Sequence, residues 1–248
     1  MTRPARTLIP ILLLVLALPA AAGAVTGHVQ LDKAPIDMRD AASIQHGAKV
    51  FVNYCLNCHS AQYMRYNRLL DLGLTEQQIR DNLMFTSGKI GDTMTIAMPK
   101  ADAKAWFGNP PPDLSVVARS RGPDWLYTYL RSYYRDEKTV TGWNNLAFEN
   151  VGMPHVLWEL QGQQVLKVEE HDGPHGTRAV KTLQLDSPGT LSTLEYDRLV
   201  ADLVNYLVFM AEPARAQRMQ LGYIVLIALG VLFVFVYLLK REYWKDVH

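Results

Sequence analysis

From Ser43 to Cys55 the apolar residues Ile44, Ala48, Phe51 and Tyr54 recur at three- and four-residue steps. That spacing lines one face of a helix and predicts one that runs to Cys55. TEQQ at Thr75 to Gln78 is a capping-box pattern, and it opens a short helix through Ile79, Leu83 and Met84. DWLYTYLRSYY, Asp124 to Tyr134, follows Pro123 and reads as a third helix, rich in aromatics. STLE at Ser192 to Glu195 is a second capping box. Behind it Leu199, Leu203, Tyr206, Leu207 and Met210 mark one face of a long helix.

Strand patterns are sparse. Residues 163–185 alternate weakly around HDGPHG, which predicts a hairpin or two-stranded flap. Its charges Glu169, Glu170 and Asp172 read as solvated, with an acidic docking face as the alternative. FGNPPPDLS, Phe107 to Ser115, holds three prolines and must be extended loop. Glu212 and Pro213 separate this long helix from the C-terminal stretch.

That C-terminal stretch is apolar. Met219 to Leu239 contains no charged residue, and at about 1.5 Å per residue it reaches roughly 30 Å, one hydrocarbon thickness. Lys240, Arg241 and Lys245 come next, with Tyr237, Tyr243 and Trp244 at interface positions. At the other end Arg3 and Arg6 precede an apolar run, Leu8 to Leu18, and then PAAAGA. That is a secretory signal with small residues at its cleavage site. The expected organisation is a signal peptide over 1–24, a globular domain over 25–213, a membrane anchor over 214–239 and a cytoplasmic tail over 240–248. The globular body then lies outside the cytoplasmic membrane, in a bacterial periplasm.

Charge adds one exclusion. The net charge is +1, which gives no footprint for nucleic acid. Cysteine adds much more. The chain has two, Cys55 and Cys58, and His59 comes directly after. C-x-x-C-H is the attachment signature of a c-type haem: each thiol adds to a vinyl group and the adjacent imidazole ligates the iron. A zinc site would need further ligands at suitable spacing, a redox dithiol would sit beside a βαβ pattern, and a disulfide here would close a very short loop. One haem c, bound through Cys55 and Cys58, is the expectation.

His59 supplies one axial ligand, and the other side of the iron is less obvious. The chain has nine methionines and seven histidines. Met98 in IAMPK and Met153 in VGMPH are both followed by a stiffening proline. Met98 heads PKADAKAW, which looks like a helix start, and there it reads as a core residue. His155 competes with Met153 from the same loop. Local chemistry leaves all three open.

Further motifs flank these residues: MRYNRL (Met64 to Leu69), PPDLS (Pro111 to Ser115), ARSRG (Ala118 to Gly122), NVGMP (Asn150 to Pro154) and AEP (Ala211 to Pro213). With the C-x-x-C-H site, in this order, they make the chain resemble the cytochrome c1 family, the haem subunits of ubiquinol–cytochrome c oxidoreductase, in its bacterial form. The resemblance implies a mainly α, class I cytochrome c-like haem domain with insertions and one C-terminal transmembrane helix. It implies Met153 as sixth ligand, so that His59 and Met153 hold the iron, and Arg121 beside a haem propionate. In that fold the first and last helices cross near the haem, with Gly47 and Phe51 facing Tyr206. The implied role is electron transfer within a dimeric membrane complex, not catalysis by this chain alone. The implied partners are cytochrome b, a Rieske iron–sulfur protein as donor and cytochrome c as acceptor.

Overall fold

The structure is a computed structural model and describes residues 29–173 and 176–245. The segment read as a signal peptide, 1–24, and the side chains of Glu170 and Asp172 lie outside the described residues.

Helix α1, Ala41–Val50, starts where the Asp40 carboxylate accepts from the Ser43 amide at 3.0 Å. It buries Ile44, Gly47, Ala48 and Val50. The predicted helix does continue to Cys55, but as a widened π turn over Phe51–Cys55, in which the Leu56 amide donates to the Phe51 carbonyl at 3.0 Å. The long helix α7, Thr193–Ala211, opens on the Ser192–Glu195 capping box and buries most of its length, from Val200 to Met210. These two helices cross at Gly47. A Cβ there would lie 1.9 Å from the Asp202 carbonyl oxygen and 2.8 Å from Tyr206 Cβ, so only glycine permits this approach. Phe51 packs on Tyr206 with ring centroids 5.3 Å apart. The expected crossing is present, and the chain's core gathers round it.

Between these helices come shorter pieces: α2, Glu76–Asn82, α3, Lys100–Phe107, α4, Val117–Ser120, α5, Pro123–Arg131, and α6, Trp158–Gln161. α2 carries its capping box on Thr75 and Gln78 but stops short of Met84. α5 is shorter than the predicted Asp124 to Tyr134. It ends at Arg131 because Tyr133–Arg135 turns into strand β3, paired antiparallel with β4, Trp143–Asn145. A second small ladder joins β1, Ala61–Arg65, to β2, Thr93–Met94. The flap is a hairpin of β5, Gly162–Gly173, with β6, Gly176–Pro188, close to the expected 163–185. Residues 110–114 are irregular loop, as their prolines require, but the predicted loop begins late: Phe107 closes α3 and Gly108 and Asn109 bend away from it.

α7 ends at Ala211 and the chain restarts at Arg215 in α8, Arg215–Tyr243. The break falls at Glu212 and Pro213. Within α8 the stretch Arg218–Tyr243 is long and apolar enough to cross a membrane, and none of its apolar window is buried in the protein. The mainly helical fold with a hairpin insertion and a C-terminal span is therefore as the sequence predicts.

Candidate haem site

The π turn delivers Cys55 at the end of α1, and both the Cys58 and His59 amides donate back to the Cys55 carbonyl, at 3.1 and 2.8 Å. The motif is thus one tight turn, with both cysteines free of a disulfide and partly buried. Burial, with Cys58 adding to it, pushes the Cys55 thiol up to about 12. Among the described residues no cluster of His, Cys, Asp and Glu offers a metal site of the zinc type.

His59 is 8% exposed. Its Nδ1 lies 2.7 Å from the Pro112 carbonyl oxygen, which can only accept, so Nδ1 carries the proton and Nε2 presents its lone pair. That is the tautomer a metal-ligating imidazole requires. Burial pushes its pKa down, which keeps the ring neutral. The PPDLS segment reaches the motif by several further bonds. The Leu114 amide donates to the Ser60 carbonyl at 2.8 Å. The Gln62 amide donates to the Asp113 carboxylate at 2.8 Å and the Tyr63 amide to the Ser115 hydroxyl at 3.1 Å. The proline-rich loop is held against the haem motif and gives His59 its orientation.

Met153 sits in the loop between β4 and α6. It is half-buried and packs on the same core as Cys55 and Leu114. A Cβ on the preceding Gly152 would meet no protein atom within 4 Å. The Tyr129 hydroxyl donates to Met153 Sδ at 3.5 Å. Met98 is half-buried to a similar degree but, unlike Met153, is not packed on the core, so its reading as a core residue is corrected. The buried methionine of that region is Met94, whose sulfur accepts from the Tyr206 hydroxyl at 3.2 Å.

His155 is 2% exposed. Tyr133 stacks on its ring at 4.7 Å, and Trp143 meets it edge-on at 5.1 Å. Burial pushes its imidazole down to about 4, against a smaller upward effect from Gln161. Neither His155 Nε2 nor Gln161 Oε1 completes a well-formed hydrogen bond. A ring covered by two aromatics is a core packing element more than a presented ligand.

Arg121 caps α4 and is exposed. Its guanidinium rests over Trp125 at 5.0 Å and lies 5.9 Å from the Phe148 ring, and among the described residues no carboxylate pairs with it. An exposed, unneutralised cation on an aromatic shelf suits an anionic group such as a propionate. The donor set as a whole fits a haem c: two thiols, an imidazole in the right tautomer, a thioether and a free guanidinium.

Several residues that shape the Met153 side have no motif to announce them. Asn145 is fully buried; its side-chain carbonyl accepts from the Ala147 and Phe148 amides at 2.9 and 3.1 Å, and its amide donates to the Tyr129 carbonyl at 2.8 Å. Asn144 accepts from the Asn150 amide at 2.9 Å. Asn150 itself has φ of 58°, a left-handed turn just ahead of Met153. The adjacent asparagines in WNN, and the four-residue spacing of Trp125, Tyr129 and Tyr133, are the signals that the sequence offers for them.

The chain matches the family described as the Cytochrome C1 family over residues 32–179 and 187–247. It is 51% identical over 231 residues to a cytochrome c1 of Allochromatium vinosum, covering 93% of this chain and 95% of that one. It is 30% identical to a cytochrome c1 of Rhodospirillum rubrum, over 94% of each chain. It is also 52% identical to a Nitrosomonas europaea protein named ammonia monooxygenase gamma subunit, over 96% of this chain and 97% of that one.

Proposed function

The chain belongs to the cytochrome c1 family, and from that membership we propose that it takes one electron from a Rieske iron–sulfur protein and passes it to a cytochrome c, within a dimeric complex built on cytochrome b. The observation that carries the reading is the His59 Nδ1 bond to the Pro112 carbonyl, which leaves Nε2 ready to ligate iron one residue after the second thiol.

A haem c supplies the one-electron iron couple. Cys55 and Cys58 would fix it covalently, so a carrier working outside the cytoplasm cannot lose it. His59 Nε2 and Met153 Sδ would be the axial donors. A thioether favours the reduced state and raises the potential, which suits a late carrier. Arg121 would offset the charge of a propionate. The signal over 1–24 and the anchor over 214–239 put the haem domain in the periplasm and the tail, 240–248, in the cytoplasm of a bacterial inner-membrane protein.

The test is purification in mild detergent with a pyridine haemochrome assay. One covalent haem per chain, with stoichiometric di-haem cytochrome b and an iron–sulfur protein, is expected. A fully loaded chain that emerges alone would sink the complex assignment. So would co-purification with a membrane monooxygenase, the outcome suggested by the name of the Nitrosomonas relative.

A further inference from the structure

Tyr129 in α5 and Tyr133 at the start of β3 line up two hydroxyls behind one sulfur. Tyr129 stacks on Trp125, one turn earlier, with centroids 4.7 Å apart. Its hydroxyl is 3.5 Å from Met153 Sδ and 2.5 Å from the hydroxyl of Tyr133. Tyr129 is 9% exposed and Tyr133 1%, so water does not substitute freely for either contact.

Counting protons fixes the direction. A thioether sulfur has no proton and can only accept, while each phenol has a single proton to give. Tyr129 gives its proton to Met153. The contact between the two hydroxyls then has to be filled by the proton of Tyr133. The order runs from Tyr133 to Tyr129 to Met153. Burial holds the pKa of both phenols above its ordinary value, so both remain donors at neutral pH. Bonds in such a chain polarise one another, which strengthens the last one.

We propose that this relay positions and tunes the Met153 sulfur: it occupies one lone pair, turns the other towards the iron, and draws electron density from the donor. The proposal rests on Met153 being the axial ligand. A poorer sulfur donor stabilises the oxidised state less than the reduced one, so the relay raises the potential. Tyr129 and Tyr133 are positioning residues and need not touch any reacting atom.

The test is a redox titration of the full-length, haem-loaded protein in detergent, with the sulfur-to-iron charge-transfer absorption recorded in parallel. Tyr129→Phe keeps the ring and removes the relay. At the wild-type midpoint the ratio of reduced to oxidised protein should fall measurably, by no more than about tenfold, because the net worth of the whole bond bounds its difference between the two redox states. Tyr133→Phe should move it the same way by less, because it removes only the polarising bond. Tyr196→Phe is the control: its buried hydroxyl donates to the Leu130 carbonyl at 2.8 Å and does not reach the sulfur, so the ratio should not change. An unshifted Tyr129→Phe, or an equal shift in Tyr196→Phe, overturns the relay. If Tyr129→Phe does not fold, Tyr133→Phe decides, since its hydroxyl makes no other hydrogen bond among the described residues. Met153→Leu, run alongside, separates the two layers. If it keeps the charge-transfer absorption, the ligand reading fails. If it loses it while both tyrosine variants are silent, only the relay fails.

Discussion

On the His59 side every fixing hydrogen bond has a backbone group at one end, whereas on the Met153 side the group that touches the sulfur is a side-chain hydroxyl. His59 leans on the Pro112 carbonyl, and the Ser60 carbonyl, the Gln62 amide and the Tyr63 amide tie the same two segments together. Met153 instead meets Tyr129, which is itself held by Tyr133 and by stacking on Trp125. A backbone bond survives most substitutions at its own position, because the amide and carbonyl are always there. A tyrosine hydroxyl is lost with a single change to phenylalanine. The imidazole is therefore oriented by a carbonyl that no substitution at position 112 removes, while the contact to the sulfur hangs on one side chain.

The largest expected effect lies on the sulfur side. Met153→Leu keeps the size of the side chain and deletes the sulfur, so the fold should survive. Its midpoint potential should drop by a few tenths of a volt, within the roughly 0.8 V that axial ligands span. Met98→Leu should leave the potential where it was, since Met98 does not pack on the core that Met153 shares with Cys55. Potentiometric titration of the two variants checks this, and a reversed outcome would remove Met153 from the site.

The contrast between the two sides also explains how much of the site is legible in the chain alone. The imidazole side is legible because its chemistry is nearly contiguous: Cys55, Cys58 and His59 fit in one turn, and PPDLS is stiff enough to be recognised as loop. The capping boxes at Thr75 and Ser192 are equally local signals, and each has its expected place; the crossing at Gly47 joins residues far apart in the chain and is implied only by the family resemblance. The sulfur side depends on contacts between distant residues. Helical spacing alone does not show that Tyr133 leaves α5 to pair with Asn145 in β4. Nor does it show that buried Asn144 and Asn145 shape the loop before Met153. Met98 and Met153 both precede proline, and only packing separates them. The short ladder of β1 with β2 is hidden for the same reason: two- and five-residue strands carry too little alternation to stand out.

A middle-sized effect should appear on the imidazole side. Asp113 accepts from the Gln62 and Ser115 amides at 2.8 and 2.9 Å, and it is exposed. Asp113→Ala should cost about 1 kcal/mol of stability, the net worth of solvent-accessible hydrogen bonds. It should leave the visible spectrum unchanged, because the Pro112 carbonyl still orients His59. Thermal melts followed by absorbance would show both. A changed axial spectrum in this variant would mean that the side chain of Asp113, not the backbone, sets the imidazole, and the contrast between the two sides would weaken.

The smallest effect belongs to Arg121. Its guanidinium stands over Trp125, and an exposed cation on a ring contributes about 0.5–1 kcal/mol, so Arg121→Ala should barely shift the melting temperature. Its influence on the iron would be electrostatic. Water weakens the pull of an exposed charge, so removing this one disfavours the reduced state less than losing a ligand would. The midpoint should fall slightly, and the difference from wild type should shrink as salt is added, because exposed charges are screened within about 10 Å at 0.1 M. Arg119 is the proper comparison. It is also exposed, two residues earlier in α4, but no ring holds it in place among the described residues. If Arg119→Ala moves the potential in a salt-dependent way and Arg121→Ala does not, the propionate contact belongs to Arg119. The aromatic shelf of Trp125 would then serve packing on the sulfur side alone.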